Sequence, residues 1–359
     1  MSEPTMAPTG AGAPAPARRR WRRAGAAVLI AAVAVAGAAV YGAYGYAPAE
    51  PGRSYHSAYL AGVPGYYVDT TVARFFYLHE GAGNPVVLIS PGDSPVYAWH
   101  NQLSALAAAG HSVYVVDLPG QGRTVLHDSS FGWDLPAMTG ALASFLDAVH
   151  LQRTALVGNS WSGGWALAFA QRYPHRVSRL ALLDSSGLDV PDICTWRVFK
   201  IPVLGELLAN FDVTKGSVRS FLDLAMYHQE LVTDEMVNEF WAPATYRVNR
   251  AATVLLERRL DWGQTQARLG STFTPALILW GRQDRVLASS QAGQLGRALP
   301  HASVHVLPGC GHLLELDCPS QADHYLTGFL ALADANPASP GTKARSRREP
   351  FGAMRPLVW

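Results

Sequence analysis

The sequence has few cysteines and few charged residues. Only three of its 359 residues are Cys, which excludes a small disulfide scaffold. Charged residues make up 16% of the chain and hydrophobic residues 49%, so the chain is too apolar to be mainly disordered and predicts a sizeable core. Among the twelve histidines, only His301 and His305 have the His-x-x-x-His spacing, and they fall at a predicted strand and not on a helix; no histidine has the cysteine-paired spacing of metal sites. The sequence therefore predicts neither a metal nor another cofactor.

Basic residues are concentrated at the two ends of the chain. Five arginines lie between Arg18 and Arg23, and five more basic residues lie after residue 340. Between residues 47 and 337 acidic residues outnumber basic ones, although the whole chain carries a formal charge of +2. This acidic body offers no basic face to nucleic acid.

An uncharged run occupies residues 24–46. Its 23 residues are enough to span a bilayer as a helix, and the preceding arginines favour the cytoplasmic side for the N-terminus. Tyrosines at the other end, Tyr41, Tyr44 and Tyr46, suit a membrane interface. We expect residues 1–23 to form a disordered basic cytoplasmic tail, residues 24–46 a single transmembrane helix or signal anchor, and the rest to lie outside the cytoplasm at the cell membrane.

A cleaved signal peptide is the alternative interpretation of this run, and it would make the protein secreted. The residues Ala47, Pro48 and Ala49 resemble a cleavage site with small residues. The run is longer than the usual apolar region of a signal peptide, which has about 7 to 15 residues, and this favours the anchor.

Short apolar runs alternate with helical segments over residues 55–187. Expected strands cover residues 68–71, 73–79, 85–90, 112–117, 154–158 and 180–184, and the pattern returns with strands at 275–280 and 303–307. Helical spacing of Ala and Leu marks residues 99–109, 135–149, 161–172 and 320–332. Continuous apolar strands between helices predict an α/β fold, with a mainly parallel sheet buried on both faces. Residues 55–187 and 272–335 would form its two parts.

The strand pattern is interrupted over residues 188–271. This segment is rich in Leu, Glu and Arg and predicts a helical insertion. Ligands of open parallel sheets bind beyond the carboxyl ends of the strands, so an insertion leaving that edge would cover the site as a lid. Residues 336–359 read as a disordered tail.

A turn of small residues lies between a predicted strand and a predicted helix. Residues 156–164 (LVGNSWSGG) resemble the nucleophile elbow of the α/β-hydrolase family, which is usually Gly-x-Ser-x-Gly. Ser162 replaces the last glycine, so Ser162 must be weighed against Ser160 as the nucleophile. The resemblance favours Ser160, because a Tyr-Pro pair commonly ends the next helix about 13 residues later, and Tyr173 and Pro174 have that spacing.

The same resemblance implies two partners for Ser160. Asp284 follows a predicted strand in a turn like the family's acid turn, and His312 follows the last strand in a loop like its histidine loop. In this family the histidine removes the serine proton and the acid orients the imidazole. Asp184 also ends a strand on this edge and is the alternative acid.

The resemblance further implies an oxyanion hole made of two backbone N–H groups. One belongs to Trp161, the residue after the nucleophile. The other comes from the loop after the third strand, where Ser90 and Pro91 depart from the family's usual His-Gly. Gly92 is the favoured donor and Asp93 the alternative.

These features predict a carboxylesterase-like serine hydrolase that cleaves an ester or related acyl compound through an acyl-enzyme. Alternatives on the same fold are a hydrolase of carbon–carbon bonds, for which Arg197 would be a candidate anion clamp, and a cofactor-free perhydrolase. A non-catalytic binding protein is the alternative from another class. The expected substrate is a small apolar acyl compound. Trp161, Trp165 and Trp196 are candidates for its pocket, and helix packing against the sheet is the alternative role for these tryptophans. Cys310 and Cys318 are expected to be buried thiols, with a disulfide between them as the alternative.

Overall fold

The computed structural model describes residues 16–191 and 194–331, which form two compact units divided between Tyr46 and Ala47. In the first unit, helix α1 spans Pro16–Val40 and continues as a π-helical turn over Tyr41–Gly45. The expectation of a disordered tail over residues 1–23 is therefore wrong for Arg18–Arg23, which lie inside α1, and residues 1–15 fall outside the described part. Ala and Arg are strong helix formers, so the helix begins before the uncharged run.

The segment Ala26–Gly45 is long and apolar enough to cross a membrane. It has 20 residues and a mean hydropathy of 2.2. Its large apolar side chains, Val28, Leu29 and Ile30 among them, are exposed. A transmembrane helix and a signal sequence share this length and composition.

The second unit is built on one nine-stranded sheet. Its strands are β1 Gly65–Asp69, β2 Ala73–Glu80, β3 Asn84–Ile89, β4 His111–Val116, β5 Val125–Leu126, β6 Thr154–Asn159, β7 Val177–Leu183, β8 Ala276–Gly281 and β9 Ala302–Leu307. The spatial order is β1-β2-β4-β3-β6-β7-β8-β9, with β5 beside β2. Pairings from β4 to β9 are parallel, and those of β2 are antiparallel. The expected mainly parallel sheet is confirmed.

Helices follow most of the strands. They are α2 Ala58–Gly62, α3 His100–Ala108, α4 Leu135–Ala148, α5 Trp161–Arg172, α6 Cys194–Arg197, α7 Leu204–Phe211, α8 Lys215–Ala225, α9 Asp234–Ala244, α10 Arg247–Arg259, α11 Gly263–Gln266, α12 Ser290–Ala298, α13 Leu314–Asp317 and α14 Pro319–Ala331. Helices α4, α5 and α12 cover one face of the sheet, and α3 and α14 cover the other. The neighbours Leu156 and Val157 pack on opposite faces because successive strand residues point to opposite sides.

Helices α6 to α11 form a helical insertion between β7 and β8, and no strand occurs among the described residues of this stretch. Two of its helices begin with threonine caps: Thr214 accepts a hydrogen bond from a backbone N–H in the first turn of α8, and Thr233 does the same for α9.

The chain just after residue 47 packs against the helical insertion, a contact the sequence did not predict. The Gly52 N–H donates to Thr245 Oγ1 at 3.0 Å, and Arg250 donates to the Ala49 carbonyl at 3.2 Å. A Cβ atom on Gly52 would lie 1.9 Å from the Ala242 carbonyl oxygen, so only glycine fits this approach. Residues before the first strand thus help to hold α9 and α10 in place.

Candidate active site

Ser160 lies on the sharp turn between β6 and α5. Its φ of 54° is in the left-handed region that side chains other than glycine rarely adopt. The turn needs small neighbours: a Cβ atom on Gly158 would meet the Ser162 backbone at 2.4 Å, and one on Gly163 would meet Ser185 Oγ at 2.3 Å. The strained turn brings Ser160 to the wall of a cavity.

Ser162 has a different environment from Ser160. Its side chain is fully buried, and its hydroxyl lies 2.9 Å from the Ile89 carbonyl oxygen and 2.8 Å from that of Asn159. The Asn159 N–H also donates to Ser162 Oγ, at 3.0 Å. The Ser162 hydroxyl is therefore engaged by backbone groups that hold the turn, and it does not line the cavity beside Ser160.

Asp284 and His312 form a buried hydrogen-bonded pair. His312 Nδ1 lies 2.9 Å from Asp284 Oδ2. The other oxygen of Asp284 accepts hydrogen bonds from the backbone N–H groups of Val286, at 2.7 Å, and Leu287, at 2.9 Å. These donors fix the carboxylate, and the hydrogen bond to Nδ1 leaves Nε2 of His312 for a second partner. His312 lines the same cavity as Ser160.

Asp184, the alternative acid, lies at the end of β7 but is not hydrogen-bonded to His312. It is fully buried, and its Oδ1 accepts a hydrogen bond from the Gly281 N–H at 2.7 Å. Burial, reinforced by the neighbouring Asp284, raises the pKa of Asp184 well above its usual range. Three hydrogen-bond donors surround the carboxylate of Asp284 and one contacts that of Asp184, so the negatively charged form is better stabilised at Asp284.

The loop that carries His312 is closed by a disulfide between Cys310 and Cys318. Both residues are buried as expected, but the expectation of free thiols is wrong. The tertiary fold brings their Cα atoms to 6.0 Å, a separation that a disulfide can span and that sequence spacing does not reveal. Asn159 Nδ2 also donates to the His312 carbonyl at 2.7 Å and ties this loop to β6.

Among the residues that the structure describes, two groups of side chains have the spacing of metal ligands. Asp184, Asp284 and His312 form one group, and His228, Asp317 and Cys318 form the other. Backbone N–H groups already occupy oxygens of all three carboxylates, and the Cys318 sulfur is in the disulfide. Hydrogen bonding within the protein explains both groups.

The expected oxyanion donors line the same cavity. Trp161 is the first residue of α5, so its N–H has no acceptor within the helix. Gly92 packs against the Trp161 ring so closely that a Cβ atom would lie 2.4 Å from it. Asp93 lies next to Gly92 with a φ of 57°, and its Oδ1 accepts a hydrogen bond from Thr253 at 2.6 Å.

Asp117 supports the loop that carries Gly92. Its carboxylate accepts hydrogen bonds from the Ser90 hydroxyl at 2.7 Å and from the Arg123 N–H at 2.9 Å. Gly122 has a φ of 48°, and a Cβ atom there would lie 1.8 Å from Asp117. Burial raises the pKa of Asp117 to about 6. These contacts give Asp117 a structural role in this loop.

Two neighbouring cavities share three wall residues, Asp93, Trp196 and Phe221. The smaller cavity, about 50 Å³, is lined by Gly92, Asp93, Ser160, Trp161, Ser186, Trp196, Phe221, Glu257, Val286, Leu287 and His312. The larger one, about 690 Å³, lies mainly among residues of the helical insertion and is largely apolar. The sequence did not identify Glu257 or Phe221, because insertion residues reach the site only through the packing of their helices.

Two candidate residues lie away from the cavity beside Ser160. Arg197, the candidate anion clamp, is exposed and lines neither cavity. Trp165 is fully buried in the core between α5 and the sheet. Trp161 and Trp196 do line the cavity, with ring centroids 5.9 Å apart.

The family model for the alpha/beta hydrolase fold matches residues 84–317. A 2-hydroxy-6-oxo-6-phenylhexa-2,4-dienoate hydrolase of Burkholderia cepacia is 27% identical over 284 residues, which cover 73% of this chain and 98% of that protein. A 2-hydroxy-6-oxononadienedioate/2-hydroxy-6-oxononatrienedioate hydrolase of Paraburkholderia phymatum is 30% identical over 275 residues, or 72% of this chain and 92% of that one. The crystal structure of a membrane phospholipase A is similar in fold, with a TM-score of 0.65 and 23% identity, covering 87% of this chain and 99% of its own.

The matched region contains the parallel strands β3, β4, β6, β7, β8 and β9, the turn with Ser160 and the loops with Asp284 and His312. It amounts to more than half of the chain, and the relatives named above are hydrolases. By this match and by its sheet, the chain belongs to the α/β-hydrolase fold family.

Proposed function

We propose that the protein is a serine hydrolase that cleaves an ester or related acyl compound through an acyl-enzyme. The observation that carries the proposal is the 2.9 Å hydrogen bond between His312 and Asp284 at a cavity that Ser160 also lines. A serine hydroxyl is a weak nucleophile until a base removes its proton, and a histidine oriented by a carboxylate is such a base.

In this proposal Ser160 attacks the acyl carbon and His312 takes its proton. His312 then gives that proton to the leaving alcohol, and a second cycle with water releases the acid and regenerates Ser160. Asp284 holds the imidazole tautomer and stabilises the imidazolium. The N–H groups of Trp161 and Gly92 stabilise the oxyanion, and loss of one such donor costs about 2.7 to 4 kcal/mol in a studied protease.

The larger cavity supports an apolar acyl substrate. Its volume of about 690 Å³ is within the range of small-molecule sites, and side chains such as Leu208, Val218 and Leu224 line it. We propose that the helical insertion acts as a lid. The acyl chain would lie beneath it in the larger cavity, and the carbonyl group would lie beside Ser160 in the smaller one.

We also propose that the hydrolase unit is held outside the cytoplasm by the Ala26–Gly45 helix. The arginines before this helix favour a cytoplasmic N-terminus. The disulfide between Cys310 and Cys318 supports the same side, because disulfides persist mainly in oxidising compartments. A C-terminal fusion to a reporter enzyme that is active only outside the cytoplasm should be active, and a fusion to one that is active only in the cytoplasm should be inactive. Activity of the cytoplasmic reporter would contradict this orientation.

The test of the chemistry is reaction with a fluorophosphonate probe, followed by mass spectrometry of the labelled peptide. We expect one adduct per chain, on Ser160, and none in His312→Ala. Screening of neutral esters of increasing acyl length would then define the substrate. A folded protein that forms no adduct would instead support a non-catalytic binding protein.

A second candidate is hydrolysis of carbon–carbon bonds, which the two curated relatives favour by name. Those names denote carboxylate substrates, which need a cationic partner. Arg197 is exposed and away from Ser160, and this weakens the second candidate. Turnover of a vinylogous diketone carboxylate faster than any ester would reverse the order of the two.

A further inference from the structure

The cavity beside Ser160 is acidic. Asp93 and Glu257 both line it, and no Lys or Arg of the described residues does so. Glu257 has a basic neighbour, since Lys200 Nζ lies 3.8 Å from its Oε1. Asp93 has no basic side chain within 4 Å in the described part of the chain, and its carboxyl group accepts one side-chain hydrogen bond, from Thr253.

Asp93 lies between the two cavities. It lines both of them, so it forms part of the wall between the space beside Ser160 and the larger apolar space. The hydrogen bond from Thr253 of α10 fixes its side chain. The other charged residues of the larger cavity are Asp212 and Arg250, and Arg250 donates to the Asn210 carbonyl at 2.9 Å.

We infer that Asp93 is a charge filter, which excludes substrates with a negative charge near the scissile bond and restricts the site to neutral or cationic acyl compounds. The inference rests on the proposed function and names the substrate class of that site. It also separates this chain from its curated relatives, whose names denote carboxylate substrates.

The filter depends on the ionisation of Asp93. Burial raises its pKa to about 6, against a weaker opposing effect of the Thr253 hydrogen bond. The carboxyl group is therefore mostly neutral at pH 5 and ionised at pH 8. The other titratable groups that face the same space, Glu257 and His312, remain when Asp93 is replaced. Two negative charges about 6 Å apart at an effective dielectric constant of about 20 weaken binding roughly 100-fold.

The test compares two p-nitrophenyl esters of equal length, the neutral butyrate and the anionic hemisuccinate, with the full chain in neutral detergent. The measured quantity is kcat/KM for the butyrate divided by kcat/KM for the hemisuccinate, at pH 5.5 and at pH 8. In the wild type this ratio should rise roughly 10- to 100-fold from pH 5.5 to pH 8. In Asp93→Asn it should stay flat, because Asn keeps the acceptor for Thr253 and tolerates a positive φ.

Glu235→Gln is the matched control, because it removes one exposed negative charge from α9 outside both cavities. Its ratio should rise with pH as in the wild type. The inference is overturned if the wild-type ratio does not change with pH, which needs no variant, or if Asp93→Asn has the wild-type ratio at pH 8. If the wild type hydrolyses neither ester and no fluorophosphonate labels Ser160, the proposed function fails and the inference falls with it.

Discussion

Replacement of Glu315 by Gln should make the protein more stable at neutral and alkaline pH. Glu315 is fully buried on α13, and neither of its carboxylate oxygens has a hydrogen-bond partner on another described residue. Burial, with a smaller effect of the nearby Asp317, raises the pKa of Glu315 from 4.5 to about 8. The folded state therefore keeps a proton that the unfolded state loses.

The sign and size follow from proton linkage. Because the pKa of Glu315 is raised in the folded state, its contribution to stability is complete below about pH 4.5 and is lost as the pH rises towards 8. The loss is about 1.4 kcal/mol per pH unit, or about 3 kcal/mol at pH 7. Glutamine binds no proton in either state, so this part of the pH dependence should disappear.

The assay is urea unfolding of residues 47–359 at pH 5.5, 6.5 and 7.5. The difference in unfolding free energy between Glu315→Gln and the wild type should grow by about 2.5 kcal/mol over this range. Buried acids that do not interact with Glu315 cancel in the difference. Glu235→Gln, at an exposed site, should run parallel to the wild type. Parallel curves for Glu315→Gln and wild type would refute the buried neutral carboxyl group.

Three other predictions concern the candidate site. Ser162→Ala should keep fluorophosphonate labelling of Ser160 while lowering the unfolding free energy by about 1 to 3 kcal/mol, because the Asn159 N–H loses a buried acceptor; loss of labelling would make Ser162 the nucleophile. Asp284→Asn should reduce kcat by about 10⁴-fold with little change in stability, as in a studied protease where this change fixes the wrong tautomer; an active variant would move the acid role to Asp184. The double replacement of Cys310 and Cys318 by Ser should lower the unfolding free energy by about 2 to 3 kcal/mol for so short a loop, and unchanged urea curves would show that the disulfide does not form.

Strand periodicity predicted the sheet well because the strands are buried on both faces. Residues 154–158 and 275–280 were expected as strands, and they lie within one residue of β6 and β8. Local patterns failed at the edges of the unit. The contact of Gly52 with Thr245 at the end of α9 has no local signal, since the two residues are 193 positions apart in the sequence.

The choice between alternative site residues depended on tertiary contacts. Asp184 and Asp284 both follow strands, and the hydrogen bond to His312 is made by Asp284. Ser160 and Ser162 are two residues apart, yet Ser160 lines the cavity and the Ser162 hydroxyl is hydrogen-bonded to backbone carbonyls. The two differ because Ser160 lies on the strained turn and Ser162 lies in the first turn of α5. Such differences of direction are set by φ and by packing, which composition does not encode.

Local sequence patterns were enough to predict the fold family and to select Ser160, Asp284 and His312 as candidates, because buried strands and small-residue turns leave patterns that need no distant partner. The disulfide between Cys310 and Cys318, the place of Glu257 in the wall of the smaller cavity and the place of Asp93 in both cavities are visible in the tertiary structure alone. Distance, burial and charge environment arise where segments remote in sequence pack together, so they cannot be read from any one segment.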